Sequence, residues 1–224
     1  MISIAMIPYS DGKTMLEGFV STPPGDKLPL VLLCHSWGGR DSFICEKAQQ
    51  VAKLGYVGFA IDMYGVLGGS KEENAALKKP FVEDRQYLKK RLLSGYEAAA
   101  KLPFVDSSRV IALGYGFGGL CAIDLARSGV DLLGAVSVYG HFDPLKEAKP
   151  IRSKLLLIHG SEDPVVPLTE LIAFQQELDA AKVDWQSHVY GNTGHAFPYP
   201  PNIGAERSWA AIEYFLSENF KTSN

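Results

Sequence analysis

Residues Leu113 to Gly119 have the sequence LGYGFGG, which places Gly114 and Gly118 at the flanking positions of a strand-to-helix elbow. Such an elbow follows the pattern G-x-nucleophile-x-G and holds its central side chain above the end of a buried strand. The preceding apolar run, Val110–Leu113, suits a parallel strand that is buried on both faces. The central residue is Gly116, so the sequence predicts the backbone of an elbow without a nucleophilic side chain.

Apolar runs and segments of helical spacing alternate along the chain, which predicts parallel strands with helices on both faces. The predicted strands are Leu30–Cys34, Val57–Ile61, Val110–Leu113, Leu133–Val138 and Leu155–Ile158. The predicted helices are Phe43–Leu54, Val82–Lys101, Leu120–Arg127, Leu168–Ala181 and Ala205–Phe220. Two leading strands, Ile2–Ile7 and Met15–Ser21, are expected to form an antiparallel edge, and Gly65–Pro80 is expected to be a loop. The predicted class is α/β.

The composition is that of an ordinary globular protein. The chain has 224 residues, of which 46% are hydrophobic and 21% are charged. A single α/β domain of this size is common, so we expect one domain over residues 1–224. A net charge of −3 gives no reason to expect nucleic acid or a membrane surface as a partner.

Neither export nor a metal centre is indicated. No apolar run approaches the roughly 18 residues that span a bilayer. The N-terminal stretch MISIAMIPYSDGKT lacks a basic segment followed by an apolar one. The three cysteines, Cys34, Cys45 and Cys121, are odd in number and lack metal-ligand spacing. We expect a cytoplasmic protein with no metal and no cofactor, and the sequence leaves its oligomeric state open.

Unusual chemistry follows several predicted strands, whose carboxyl ends are where parallel α/β sheets bind ligands. The stretch CHSWGGRD, Cys34–Asp41, could supply a backbone amide at Ser36 to an oxyanion hole, with a second amide from Phe117 after the elbow centre. The candidates for lining the pocket are His35, Trp37 and Phe197.

An acid and then a base follow the elbow, which is the chain order of an α/β-hydrolase triad. Asp163 lies in HGSEDPVVP after an apolar strand, and His195 lies in GNTGHAFPYP before the last helix. In that arrangement His195 accepts a proton from the nucleophile, while Asp163 fixes the tautomer of the imidazole. Cys121 and Ser36 are alternative nucleophiles, although a buried helical cysteine and a loop serine more often have structural roles.

Three motifs together resemble the dienelactone hydrolase family over nearly the whole chain. The family elbow GYCxGG corresponds to GYGFGG here, and the acid and histidine loops correspond to HGSEDPVVP and GHAF. The resemblance implies an α/β-hydrolase domain that cleaves small esters or lactones with a Cys-His-Asp triad. Carried across by position, the nucleophile site is Gly116, the acid is Asp163 and the base is His195.

The sequence departs from that family at functionally important positions. The family cysteine is replaced at Gly116, and the family glutamate that interacts with the cysteine is replaced by His35. Arg85 and Arg91 are the candidates for the arginines that bind the substrate carboxylate. We therefore expect a nearly inactive hydrolase; the alternative is a non-catalytic protein that keeps the pocket to bind a small ligand. Natural loss of the cysteine and a deliberate substitution would leave the same sequence.

Overall fold

The computed structural model describes residues 1–145, 148–199 and 202–221. Its packing forms two compact units, Met1–Ala112 and Leu113–Asn224, whose boundary falls inside the fifth strand. The strands are β1 (Ser3–Ser10), β2 (Met15–Thr22), β3 (Leu28–Cys34), β4 (Val57–Ala60), β5 (Val105–Tyr115), β6 (Gly134–Val138), β7 (Lys154–Gly160) and β8 (Trp185–Tyr190). The helices are α1 (Ser42–Lys53), α2 (Lys71–Glu83), α3 (Arg85–Ala100), α4 (Phe117–Ser128), α5 (Leu168–Ala180) and α6 (Ile203–Phe220). The single domain over 1–224 stays a prediction.

The strands form a mixed sheet with hydrogen-bonding order β1-β2-β4-β3-β5-β6-β7-β8. β1 is antiparallel to β2 along its whole length, and β2 is antiparallel to β4. The pairs β3–β4, β6–β7 and β7–β8 are parallel. The predicted α/β class, with its antiparallel N-terminal edge, is therefore confirmed.

Helices cover both faces of the strands in the first unit. Gly58 of β4 leaves room for α1, because a Cβ there would overlap the carbonyl oxygen of Ala48. The next side chain, Phe59, points to the opposite face, where its ring lies 6.3 Å from that of Tyr9. α3 packs on that second face, since a Cβ at Gly95 would lie 3.4 Å from the Tyr9 hydroxyl.

The second unit has the same layered arrangement around β6. Gly134 and Ser137 are three residues apart in this strand, so they face opposite sides. A Cβ at Gly134 would lie 2.7 Å from Phe215 of α6, and a Cβ at Gly119 of α4 would lie 2.6 Å from the Ser137 hydroxyl. Helices α4 and α6 therefore cover opposite faces, as the sequence pattern predicts.

The prediction of a loop over Gly65–Pro80 is wrong in its second half, where the chain forms α2. Ser70 begins this helix with a capping box, in which its hydroxyl accepts from the Glu73 amide and the Glu73 carboxylate accepts from the Ser70 amide. The predicted helix Val82–Lys101 is also divided. Asp84 ends α2 and begins α3, because its carboxylate accepts from the amides of Gln86 and Tyr87 at 3.0 and 2.9 Å.

The contact of α1 with β4 predicts a specific sensitivity to an added methyl group. Gly58→Ala is expected to lower the free energy of unfolding by about 3 kcal/mol, because the new Cβ meets Ala48 backbone atoms that cannot rotate away. Gly38→Ala is the control, since its Cβ would meet only the flexible Asp41 carboxylate at 3.5 Å. Denaturant unfolding of both variants measures the difference, and equal midpoints would contradict this account of the packing.

Candidate active site

The elbow between β5 and α4 has the backbone conformation that the sequence predicts. Gly116 has φ 57° and ψ −115°, a region that residues with a side chain rarely adopt. Its amide donates to the carbonyl of Val138 at 2.9 Å, and its own carbonyl accepts from the Gly119 amide at 2.9 Å. Phe117 is the first residue of α4, so the helix begins directly after the elbow centre.

Two glycines of the elbow motif, Gly114 and Gly119, are required by close approach of the backbone to itself. A Cβ on Gly114 would overlap the carbonyl oxygen of Gly118, so the strand and the first helical turn come together only without side chains there. Gly119 similarly lies against Gly140, where a Cβ would be 2.7 Å from the Gly140 Cα. These contacts explain why the motif holds several glycines besides the one at its centre.

Asp163 and His195 lie in direct contact. The Asp163 Oδ2 atom is 2.7 Å from His195 Nδ1, although 32 residues separate the two positions in the chain. The Asp163 side chain is fully buried, whereas that of His195 is 25% exposed. Since Nδ1 is engaged by the carboxylate, Nε2 is the imidazole nitrogen that remains for proton exchange with a substrate.

The other oxygen of the Asp163 carboxylate is held by the loop that follows β7. Oδ1 accepts from the amides of Val165 and Val166 at 2.8 and 2.9 Å. Both oxygens of this buried acid therefore have hydrogen-bond partners, and the carboxylate is fixed in the orientation that meets His195.

An aromatic side chain that the sequence analysis did not single out contacts the base. The ring of Tyr139 meets that of His195 edge-on, with centroids 4.9 Å apart, and its centroid is 5.9 Å from that of Phe197. Tyr139 directly follows Val138, which binds the Gly116 amide. Its position at the carboxyl end of β6 is the signal that could have identified it.

In the first unit, the predicted Ser36 and Trp37 belong to a tight turn after β3. The Ser36 carbonyl accepts from the Gly39 amide at 3.2 Å, and the Trp37 carbonyl accepts from the Tyr64 hydroxyl at 3.1 Å. Gly39 has φ 88°, a conformation that glycine adopts without strain. The Trp37 side chain is exposed.

His35 is completely buried and has a partner for each ring nitrogen. Nδ1 lies 2.6 Å from the Ser36 carbonyl, and Nε2 lies 3.3 Å from the Met63 amide. Because a carbonyl can only accept, Nδ1 carries the proton and Nε2 accepts from the Met63 amide. Burial lowers the pKa of His35, which favours this neutral form. The contacts give His35 a structural role; its predicted role in the substrate pocket stays untested.

Three further features bear on the expectations from the sequence. Cys121, the alternative nucleophile, is fully buried inside α4. Among residues 1–145, 148–199 and 202–221, no group of three His, Cys, Asp or Glu side chains is placed to hold a metal ion. None of the helices that the structure describes combines the length and apolar character needed to cross a bilayer.

Comparison with known families decides the classification. The model of the dienelactone hydrolase family matches residues 16–220, which is most of the chain. The chain belongs to the dienelactone hydrolase family. Its fold is that of an α/β-hydrolase, as the family implies. The resemblance seen in the sequence is therefore confirmed for both the family and the fold.

Individual relatives of this dienelactone hydrolase family member are distant. A Saccharolobus solfataricus protein named "Putative carboxymethylenebutenolidase" is 24% identical over 254 residues, which covers 93% of this chain and 96% of that protein. An uncharacterised Caenorhabditis elegans protein is 31% identical over 150 residues, covering 59% of this chain and 94% of that protein. The crystal structure of a dienelactone hydrolase-like promiscuous phosphotriesterase from metagenomic libraries has a TM-score of 0.93 and 28% identity, covering 98% of this chain and 99% of that one.

Of the two arginines considered as ligands for a substrate carboxylate, Arg91 is engaged in the protein interior. Its Nη2 atom lies 2.9 Å from the Asp11 Oδ2 atom, and both side chains are buried. The same guanidinium donates to the hydroxyls of Thr14 and Tyr87 at 3.1 and 2.6 Å and to the Met63 carbonyl. These contacts join the β1–β2 turn to α3. Arg85 is half-buried at the start of α3, and its predicted role is untested.

The buried ion pair makes the stability of this family member depend on pH. Burial alone raises the pKa of the Asp11 carboxyl, but hydrogen bonds from the Thr14 and Lys13 amides and the Arg91 charge outweigh it and lower the pKa to about 2. Because the folded pKa lies below the unfolded value, this stabilisation is present above about pH 4 and is lost as the pH falls towards 2.

Asp11→Asn tests that assignment. The substitution is expected to cost about 3 to 5 kcal/mol at pH 7, because it leaves a buried guanidinium without its counter-charge. Urea unfolding at several pH values should show the difference from the parent chain shrinking between pH 4 and 2. Asp26→Asn, at an exposed position, is the control and should be neutral. A pH-independent difference for Asp11→Asn would exclude the charge as its cause.

Proposed function

We propose that this chain is a dienelactone hydrolase-type enzyme for small esters or lactones, with Asp163 and His195 as acid and base and position 116 as the nucleophile site. The observation that carries the proposal is the 2.7 Å contact between the buried Asp163 carboxylate and the partly exposed His195 imidazole. A buried carboxylate paired with an accessible imidazole is the arrangement that acyl transfer requires of a general base.

With a cysteine at position 116, the sequence of events is that of covalent acyl transfer. The thiolate attacks the carbonyl carbon, and His195 takes up the thiol proton through Nε2 and returns it to the leaving alkoxide. The amide of Phe117 is proposed to bind the developing oxyanion, and the amide of Ser36 remains the sequence-based proposal for a second donor. His195 then activates water to release the acid.

With Gly116 in place, position 116 has no side chain that could form the acyl-enzyme. We propose that activity falls to a small remainder, in which His195 activates water directly against a bound ester. Such a remainder is expected because binding and oxyanion stabilisation persist when one member of a triad is lost.

Gly116→Cys is the direct test. We expect p-nitrophenyl acetate turnover to rise by about 10³-fold or more, with iodoacetamide labelling at position 116, because the missing nucleophile is restored beside an oriented base. The substitution should also lower the free energy of unfolding by about 1 to 3 kcal/mol, since a side chain is strained at φ 57°.

Gly116→Ala is the matched control, because it adds the same backbone strain without a thiol. It should lose stability like the cysteine variant and gain no activity. Adding His195→Ala to the cysteine variant should abolish the gain. A folded cysteine variant with neither turnover nor labelling would refute the nucleophile assignment.

The substrate panel should extend beyond carboxylic esters. One solved relative is described as a promiscuous phosphotriesterase. Phosphotriesters share with esters an electrophilic centre and a charged oxygen in the transition state, so paraoxon turnover by the cysteine variant is a reasonable secondary activity. Its absence would narrow the proposed substrates to acyl compounds.

A second candidate function, ligand binding without catalysis, is favoured by the absence of a nucleophilic atom at Gly116. In this case a lactone or carboxylate ligand should not be consumed. At a free concentration of 100 times its dissociation constant, it should stabilise the parent chain by about 2.7 kcal/mol. Thermal shift measurements combined with product analysis test this. Slow consumption that disappears in His195→Ala would instead favour residual hydrolysis.

A further inference from the structure

A second histidine, His159, lies beneath the proposed acid and has no part in the mechanism above. It is the penultimate residue of β7 and is completely inaccessible to solvent. Its Nε2 atom is 2.8 Å from the Val166 carbonyl and 3.8 Å from Asp163 Oδ2. Nδ1 is buried and has no hydrogen-bond partner among the residues that the structure describes.

The contact with Val166 fixes the tautomer of His159. A carbonyl oxygen can only accept, so Nε2 carries the proton and donates it to Val166. This donation also keeps the proton away from the more distant Asp163 Oδ2 atom, which accepts from His195 Nδ1 at 2.7 Å. The two imidazoles therefore do not compete for the same carboxylate oxygen.

Val166 links His159 to the carboxylate through its two backbone groups. Its carbonyl accepts from His159, while its amide donates to Asp163 Oδ1 at 2.9 Å. Val166 itself is fully buried. Without His159, the buried Val166 carbonyl would lose the hydrogen bond that this side chain donates. The loop would then have to move so that the carbonyl could find another donor.

We propose that His159 is a positioning residue for the Asp163–His195 pair. By holding the Val166 carbonyl, it fixes the loop whose amides orient the Asp163 carboxylate, so that Oδ2 faces His195. The inference deepens the proposed function and rests on it only for its effect on turnover, since the orientation of the pair exists whether or not the chain is catalytic.

Two near-isosteric substitutions separate the donated proton from the bulk of the ring. In His159→Gln the side-chain amide is the same number of bonds from Cα as Nε2, so it can still donate to Val166. His159→Met has a similar length and no donor. His159→Asn keeps a polar group that ends one bond short, and it serves as a second test variant if the methionine chain does not fold.

The first readout is independent of activity and uses the parent chain with Gly116. The proton that His195 Nδ1 shares with Asp163 should give a far-downfield ¹H NMR resonance, which is assigned by its loss in His195→Ala. We expect the glutamine variant to keep this resonance and the methionine and asparagine variants to lose or shift it. Ile158→Val, a small core change whose side chain faces the other side of β7, should keep it.

The second readout uses the same His159 substitutions in the Gly116→Cys background. The methionine and asparagine variants should have a kcat about 10- to 100-fold lower with little change in KM, because the His195 base is displaced from the position in which it exchanges the proton. The glutamine variant should have a kcat within a few-fold of that of Gly116→Cys alone.

The outcomes distinguish this inference from the proposed function. If the folded methionine and asparagine variants keep the resonance at its original position, or if glutamine loses it as they do, the positioning role is wrong. If Gly116→Cys shows no turnover, the nucleophile assignment fails, and the NMR comparison still decides the role of His159.

Discussion

The candidate site depends on one buried carboxylate whose two oxygens are engaged by different parts of the chain. Asp163 receives two backbone amides on one oxygen and the His195 imidazole on the other. An unpartnered charge at such depth would be very costly, so the loop and the imidazole are constrained together. The hydrogen bond to the buried Asp163 carboxylate therefore orients the partly exposed His195 imidazole.

Much of the fold follows from the local sequence. Runs such as Val110–Leu113 are apolar throughout because the strands are covered on both faces. The predicted strands overlap β3 to β7, although β5 begins five residues before its predicted run. Helix α2 is not predicted because GVLGGS, followed by charged residues, is typical of a loop, although the Ser70–Glu73 capping box is present in the sequence. A proline late in a helix removes one hydrogen bond, and the helix ends three residues later.

The partners of other buried polar residues are harder to predict from the sequence than the pairing of Asp163 with His195. Motif order indicated Asp163 and His195 because their chemistry depends on residue type and loop context. Arg91, a candidate ligand for a substrate carboxylate, and His35, a candidate pocket residue, both bind protein groups in the interior, and their predicted roles stay untested. Residue type shows that a group can donate a hydrogen bond, whereas its partner depends on tertiary packing.

The positive φ of Gly116 has a consequence for how this chain can change. Glycine adopts this backbone conformation without steric strain, whereas other residues are strained there by about 1 to 3 kcal/mol. That strain is a large share of the stability of an ordinary domain. A chain that has glycine here can accumulate mildly destabilising substitutions elsewhere while remaining folded. Regaining the thiol in such a chain would therefore draw on a smaller reserve of stability.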